Sequence, residues 1–359
     1  MKIAIRTIDL ASLTGEERAD LIKRSAVPDT DMRAAAAQIV ARVRQGGDEA
    51  LLAANKLYGG GRKSGALRVQ LDELDAALTG LNDPTRQALE AAAANIRRAH
   101  EPQKPVDGMV ETVPGVRIDR RWTPLRRIGV YVPGGRAAYP SSLLMGVIPA
   151  QVAGVPQIAV TSPADEEGRV SQTMLAAARL LDIDEVYVAG GAQAVAALAY
   201  GTETVERVDK IVGPGNAWVT AAKLAVYGDV GVDLPAGPSE ALVLADASAD
   251  PEIIAADLMC QAEHGPESPV ALVTPDADLA GAVVGHIAEL LPELDRAETI
   301  RRALVDHGLI ILSRSIPDAI AFANEYAPEH LTLHTSDADR DALAATSAGS
   351  VFVGHWAPE

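Results

Sequence analysis

From residue 128 onward, short runs of β-branched and aliphatic residues alternate with longer Ala-rich stretches. The runs at 128–132, 157–161, 185–188 and 208–212 have the length and composition of strands. Between them, 142–153, 170–181, 192–200 and 217–226 repeat apolar residues at helical spacing. Strands alternating with helices of this length predict parallel βαβ units and a doubly wound sheet. This block closes near Leu234, where Pro235 and Pro238 flank Gly237. The rhythm then restarts, with strands expected at 241–245, 270–274, 309–312, 330–333 and 351–353 and helices at 250–263, 276–291 and 316–326. The first hundred residues read instead as helices. Asp31 is placed to cap one that ends at Gly46-Gly47, and Asp48 a second that stops at Gly59-Gly60-Gly61. Asp83-Pro84 opens a third, running to about His100. Pro114-Gly115 joins 110–113 to 116–122 as a hairpin. The expected fold class is α/β, with two doubly wound domains, one inserted in the other. Residues 1–126 plus 237–359 make the first, discontinuous domain with a helical N-terminal part, and 127–236 make the insertion.

Composition narrows the classes. With 48% hydrophobic and 23% charged residues the chain folds as a globular protein and is not a disordered one. A net charge of −17 argues against binding nucleic acid through its phosphates or docking on an anionic membrane. Two Phe, seven Tyr and three Trp leave the core to Ala, Val, Leu and Ile. Cys260 is the only cysteine, so neither an intramolecular disulfide nor a cysteine zinc cluster forms. Nothing reads as a signal peptide or a membrane helix, and the expected location is the cytoplasm.

Three expected strands open into glycine-rich turns: Val132-Pro133-Gly134-Gly135, Ala189-Gly190-Gly191-Ala192 and Val212-Gly213-Pro214-Gly215-Asn216. Glycine lets a backbone approach a ligand, and the helix that follows offers free N–H groups to an anion. None of the three is Gly-x-Gly-x-x-Gly, and no Walker lysine follows, so the turns by themselves name no cofactor. Gln261 and His264 stand three apart where a helix ends, a spacing that suits either a metal or a solvated terminus. Glu329 and His330 set a carboxylate beside an imidazole, a combination suited to moving protons, provided the backbone turns there. His100, His286, His307, His334 and His355 show no ligand spacing and read as surface or packing residues.

Taken in order, several stretches resemble the histidinol dehydrogenase family. They begin with Arg121-Trp122-x-Pro124-Leu125, Gly129-Val130-Tyr131-Val132-Pro133-Gly134-Gly135 and Ala138-Tyr139-Pro140-Ser141-Ser142. Gly190-Gly191-Ala192-Gln193-Ala194, Val208-Asp209-Lys210-Ile211-Val212-Gly213-Pro214-Gly215-Asn216 and Ala236-Gly237-Pro238-Ser239-Glu240 follow. Gln261-Ala262-Glu263-His264 and Asn324-Glu325-x-Ala327-Pro328-Glu329-His330-Leu331 complete the match, which covers nearly the whole chain. The resemblance implies two Rossmann-like α/β domains without the usual dinucleotide fingerprint. It implies oxidation of L-histidinol to L-histidine through the aldehyde, with two NAD, as the last steps of histidine biosynthesis. By resemblance Tyr131, Gln193 and Asn216 contact NAD, and Ser239 binds substrate. Gln261 and His264 ligate zinc and meet the substrate. Glu329 activates water, and His330 is the general base, also in contact with substrate. A homodimer is implied as well.

The family pattern continues past Glu359 with an Asp and a His that ligate zinc and a Glu that binds substrate. The resemblance therefore implies two neutral zinc ligands in this chain and weak zinc binding by it alone, with His355 considered as a substitute. Two other readings stand beside the dehydrogenase. One is a truncated, inactive remnant that folds and binds NAD or pairs with itself. The other is a relative acting on another amino alcohol or diol.

Overall fold

The computed structural model describes residues 3–23, 28–134, 139–233 and 239–357. Gly135 and the expected break at Leu234, Pro235, Gly237 and Pro238 lie outside the described residues. The chain divides into two compact units, Met1–Ala26 with Pro238–Glu359 and Val27–Gly237. Residues 27–126, expected with the flanks, thus fall within the inserted unit.

The discontinuous unit begins with β1 (Arg6–Asp9) and α1 (Gly15–Ile22). Neither was expected from the sequence. Thr14 and Glu17 form a capping box at the start of α1, and β1 lies parallel to a strand about 300 residues away in sequence, where Arg6 faces Leu309.

The inserted unit opens with three helices, α2 (Thr30–Tyr58), α3 (Leu71–Thr79) and α4 (Asp83–His100). The two helices expected to part at Gly46-Gly47 run on as α2, broken only by Gly47 at φ 54°, and Asp29 rather than Asp31 caps it. Among the described residues the hairpin β2 (Gly108–Val113) and β3 (Val116–Arg120) pairs only with itself, and Val110 faces Ile118 across it. Then come β4 (Arg127–Tyr131), α5 (Pro140–Val152), β5 (Gln157–Ser162), α6 (Gln172–Leu180), β6 (Val186–Val188), α7 (Gly191–Tyr200), β7 (Lys210–Val212), α8 (Ala217–Val226) and β8 (Gly231–Val232). The strands form one parallel sheet in the order β6-β5-β4-β7-β8. The order reverses between β4 and β7, and a crevice opens beyond strand carboxyl ends at such a point. The early helices belong here because the sheet is apolar on both faces. α2 packs on α7 and α8, α3 on α6 and α4 on α5, through Ile39, Val43, Leu51, Leu74 and Leu89.

The chain then returns to the first unit with β9 (Ala241–Ala245), α9 (Pro251–Ala262), β10 (Val270–Thr274), α10 (Ala277–Leu290) and α11 (Ala297–Asp306). It ends with β11 (Gly308–Leu312), α12 (Ile316–Tyr326), β12 (His330–His334), α13 (Ala338–Ala344) and β13 (Ser350–Val353). The sheet is parallel throughout, in the order β1-β11-β10-β9-β12-β13. Its core is aliphatic, with Leu242, Leu244, Leu272, Val273, Ile311, Leu331 and Leu333 buried, as the small aromatic content requires. No helix among the described residues is long and apolar enough to cross a membrane.

Candidate functional site

In the discontinuous unit, the candidate residues gather at the amino-terminal edge of the sheet. Ser239 and Glu240 lead into β9, and His330 is the first residue of its neighbour β12, in register with Ala241. Helix α9 runs back against the strands, so its C-terminus, carrying Gln261, arrives at the same edge. The terminal carbonyls of a helix favour a cation.

Gln261 is fully buried, and its Nε2 donates to the Ser239 carbonyl. A carbonyl only accepts, so this bond turns the Gln261 oxygen the other way. That oxygen is buried with no hydrogen-bond partner among the described residues. An orphaned buried acceptor costs free energy unless a ligand or an ion meets it. His264 lies two residues past the end of α9, exposed, after a turn in which its N–H donates to the Gln261 carbonyl at 3.2 Å. Its Nδ1 is 3.2 Å from the Cys260 carbonyl, which requires the hydrogen on Nδ1 and leaves the lone pair of the neutral ring on Nε2, the form that binds a metal. The chemistry of these two donors fits zinc, at two of the three or four protein ligands such a site uses. Among the described residues no group of three or more His, Cys, Asp and Glu is arranged to hold a metal ion.

The backbone turn that Glu329 and His330 need is present. Ala327 ends α12 in the left-handed region, φ 49° and ψ 61°, a conformation costing a residue with a Cβ about 1 kcal/mol. Strand pairing holds the turn from one side, where the Gly349 and Ser350 amides donate to the Pro328 and Glu329 carbonyls at 3.0 and 2.8 Å. Glu240 holds it from the other. Its carboxylate accepts from the Glu329 amide at 3.3 Å, and its carbonyl accepts from the His330 amide at 3.2 Å. Glu329 is thereby exposed and His330 half-buried, with its ring edge-on to Phe352 at 5.7 Å. Glu240 has no role in the sequence reading. It stands there only as the last residue of the Ala236–Glu240 stretch and as a carboxylate directly before a strand, and its partners lie about 90 residues away.

His334, at the far end of β12, is not a simple packing residue. It is buried, and its Nε2 lies 3.0 Å from Asp257 Oδ2 on α9, one helical turn before Gln261. This bond joins the helix carrying Gln261 to the strand that begins at His330. Asp257→Ala removes the acceptor from a buried imidazole and is expected to cost about 2 kcal/mol, read as a lower urea midpoint. His355 stands with its ring 5.8 Å from that of His334, past the carboxyl end of β12 and away from Gln261 and His264. That placement removes it as a substitute ligand.

In the inserted unit, the three glycine-rich turns differ. The turn at 190–191 is filled by the chain itself. The Gly191 amide donates to the Tyr131 hydroxyl at 3.1 Å, and Gly60 lies over the turn so closely that a Cβ on it would stand 3.1 Å from the Gly190 nitrogen. Gln193, buried, reaches Asn55 Oδ1 and the Gly59 carbonyl at 3.3 and 3.4 Å. Burial pushes the Tyr131 hydroxyl pKa up, and the Gly191 hydrogen bond offsets only part of that. The other two turns remain accessible. Pro133 and Gly134 border an open cleft of about 690 Å³ with Arg62, Tyr139, Ser162 and Arg169. The Gly213–Asn216 turn flanks the switch point. Asn216, exposed, caps α8 by accepting from the Trp218 and Val219 amides at 3.1 and 3.2 Å, so its amide nitrogen is what it offers a ligand.

Comparison with known proteins gives the family. The family model described as histidinol dehydrogenase matches residues 22–359. The histidinol dehydrogenase of Halobacterium salinarum is 47% identical over 97% of this chain and 81% of its own length. That of Vibrio cholerae is 43% identical over 99% of this chain and 82% of its own. The crystal structure of histidinol dehydrogenase from Elizabethkingia anophelis superposes with a TM-score of 0.92 at 38% identity, covering 100% of this chain and 82% of that one.

Proposed function

As this chain belongs to the histidinol dehydrogenase family, we propose that it oxidises L-histidinol to L-histidine through the aldehyde, using NAD and zinc. The observation that carries the reading is the meeting of Ser239, Gln261, Glu329 and His330 at one sheet edge, tied together through Ser239 and Glu240. Ser239, Gln261 and the adjacent pair Glu329-His330 come from three stretches separated by 22 to about 90 positions, and the fold brings their polar groups to one place.

His330 takes the proton of the substrate hydroxyl, which alcohol oxidation must release as the carbon gives up its hydride. Glu329, exposed on its turn, takes a proton from the water that adds to the aldehyde carbon, because a second hydride can leave only from the hydrate. NAD, when bound, accepts the hydride in each oxidation. Zinc, when bound by Gln261 and His264, orients the amino and imidazole groups of the substrate. Ser239 contacts the substrate beside them. In the inserted unit Asn216 faces NAD with its amide nitrogen, and Tyr131 and Gln193, read with it as NAD contacts, also hold the 190–191 turn and the 55–59 segment in place.

The first measurement is NADH formed per L-histidinol consumed with zinc added. Two NADH per substrate supports the full reaction. No NADH with L-histidinol sinks this reading. Glu329→Gln is then expected to slow oxidation of the aldehyde at least about tenfold more than oxidation of the alcohol, because only the former consumes water. Equal losses in the two half-reactions would remove Glu329 from that role. Pairing of two copies of this chain, implied by the family resemblance, is proposed alongside and is read by sedimentation.

A further inference from the structure

The Gly213–Asn216 turn is poorly equipped to hold its own shape. Gly213 sits at φ 115°, Pro214 has no amide hydrogen, and Gly215 adds no side chain. A Cβ on Gly213 would stand 2.1 Å from the Tyr131 carbonyl oxygen, so glycine is required, along with the freedom glycine brings. Two charged side chains supply what the turn lacks. Lys223, buried on α8, donates from Nζ to the Gly213 carbonyl and to Asp233 Oδ1, the latter at 2.6 Å. Asp233, just past β8, accepts the Gly213 amide on its other oxygen at 2.7 Å. Both backbone polar groups of Gly213 are thus gripped by one ion pair, whose lysine is buried and whose aspartate is partly exposed.

Burying the lysine of such a pair costs desolvation that its partly exposed partner repays only in part, so the pair is a poor device for stability alone. What it provides is geometry. We propose that Lys223 and Asp233 are positioning residues for cofactor binding, holding the Gly213–Asn216 turn in the shape that presents Asn216 to NAD. Their charges cancel against each other, so no net charge is added where the dinucleotide phosphates approach. Asn216 closes the other end of the turn through its cap on α8, leaving Pro214 and Gly215 suspended between two anchors. The inference rests on the reading of Asn216 as the NAD contact.

The test is titration with NADH, followed by energy transfer from tryptophan, in Lys223→Met and Asp233→Ala, with Asn216→Asp in parallel. Asn216→Asp keeps the helix cap and removes the amide nitrogen. Lys223→Met and Asp233→Ala are expected to weaken NADH about tenfold, the scale of losing a charged hydrogen bond that shapes the site. In turnover the KM for NAD rises likewise, while kcat and the KM for L-histidinol stay within about twofold. A generally loosened fold would move all three. Wild-type NADH affinity in both variants, with Asn216→Asp weakened, overturns the positioning role and leaves the cofactor reading intact. Wild-type affinity in Asn216→Asp as well removes both. If Lys223→Met and Asp233→Ala do not fold, Asp233→Asn decides. It has one oxygen for two donors, so an unchanged affinity overturns the proposal.

Discussion

His330→Asn is expected to lower the rate of both oxidations by about 10²- to 10⁴-fold, the range for loss of a positioned general base. Both steps remove a hydroxyl proton, from the alcohol first and from the hydrate second, so one base serves both. Asparagine keeps a polar side chain at the start of β12. The strand itself is held by backbone bonds to Glu240 and by pairing with β9 and β13, none of which the substitution touches. NADH affinity is therefore expected to stay at the wild-type value. Single-turnover NADH formation, started separately from L-histidinol and from the aldehyde, reads each step. A loss confined to one of them would show that His330 is not the shared base.

The largest expected loss of stability comes from Arg127→Leu, at about 3–5 kcal/mol at pH 7. Arg127 is 2% exposed, and its guanidinium meets the Glu185 carboxylate through both terminal nitrogens, reaching across β5 from β4 to the residue just before β6. Tyr187 donates a further bond to Glu185 at 2.5 Å. Burial pushes the Glu185 carboxyl up, but the hydrogen bonds from Arg127 and Tyr187 and the nearby positive charge outweigh it, so its pKa lies below the ordinary value. Leucine leaves that carboxylate partly buried without its partner. A depressed carboxylate pKa stabilises the fold above the unfolded-state pKa, and this contribution disappears as pH falls through the folded value. In the variant the unpaired carboxyl protonates readily and loses little by doing so. The gap between wild type and variant should accordingly narrow from pH 7 toward about pH 4, near the unfolded Glu value. Urea unfolding at both pH values measures it, and a constant gap would mean that Glu185 is not what the arginine stabilises.

Much of the architecture was legible along the chain. The strands at 241–245 and 270–274 and the helices at 217–226 and 316–326 lie where periodicity and punctuation place them. These elements are buried on a sheet or pack on one, so their own residues carry the pattern. What went unread was β1, α1, α3, β8, α11 and α13. β1 is a four-residue edge strand with one buried position, and its partner is the strand containing Leu309. α13 is seven residues long and rich in Asp. Neither bears enough apolar pattern to announce itself. The allocation of residues 27–126 also went unread, because what a helix packs on is set by the complementary face of another segment, and no local signal names that segment.

The sequence by itself determined the parallel α/β class, the aliphatic core, the glycine-rich turns and the motifs that mark the histidinol dehydrogenase family. Each depends on residue type and short spacing, which the chain displays directly. Tertiary structure alone decided which of those turns stay accessible, because Gly60 and Tyr131 reach the 190–191 turn from distant positions. It also decided that Glu240 holds the Glu329–His330 turn, that Asp257 grips His334, and that Lys223 and Asp233 clamp Gly213. A hydrogen bond depends on a few ångströms and an angle, and residues tens of positions apart acquire those only when the sheets assemble.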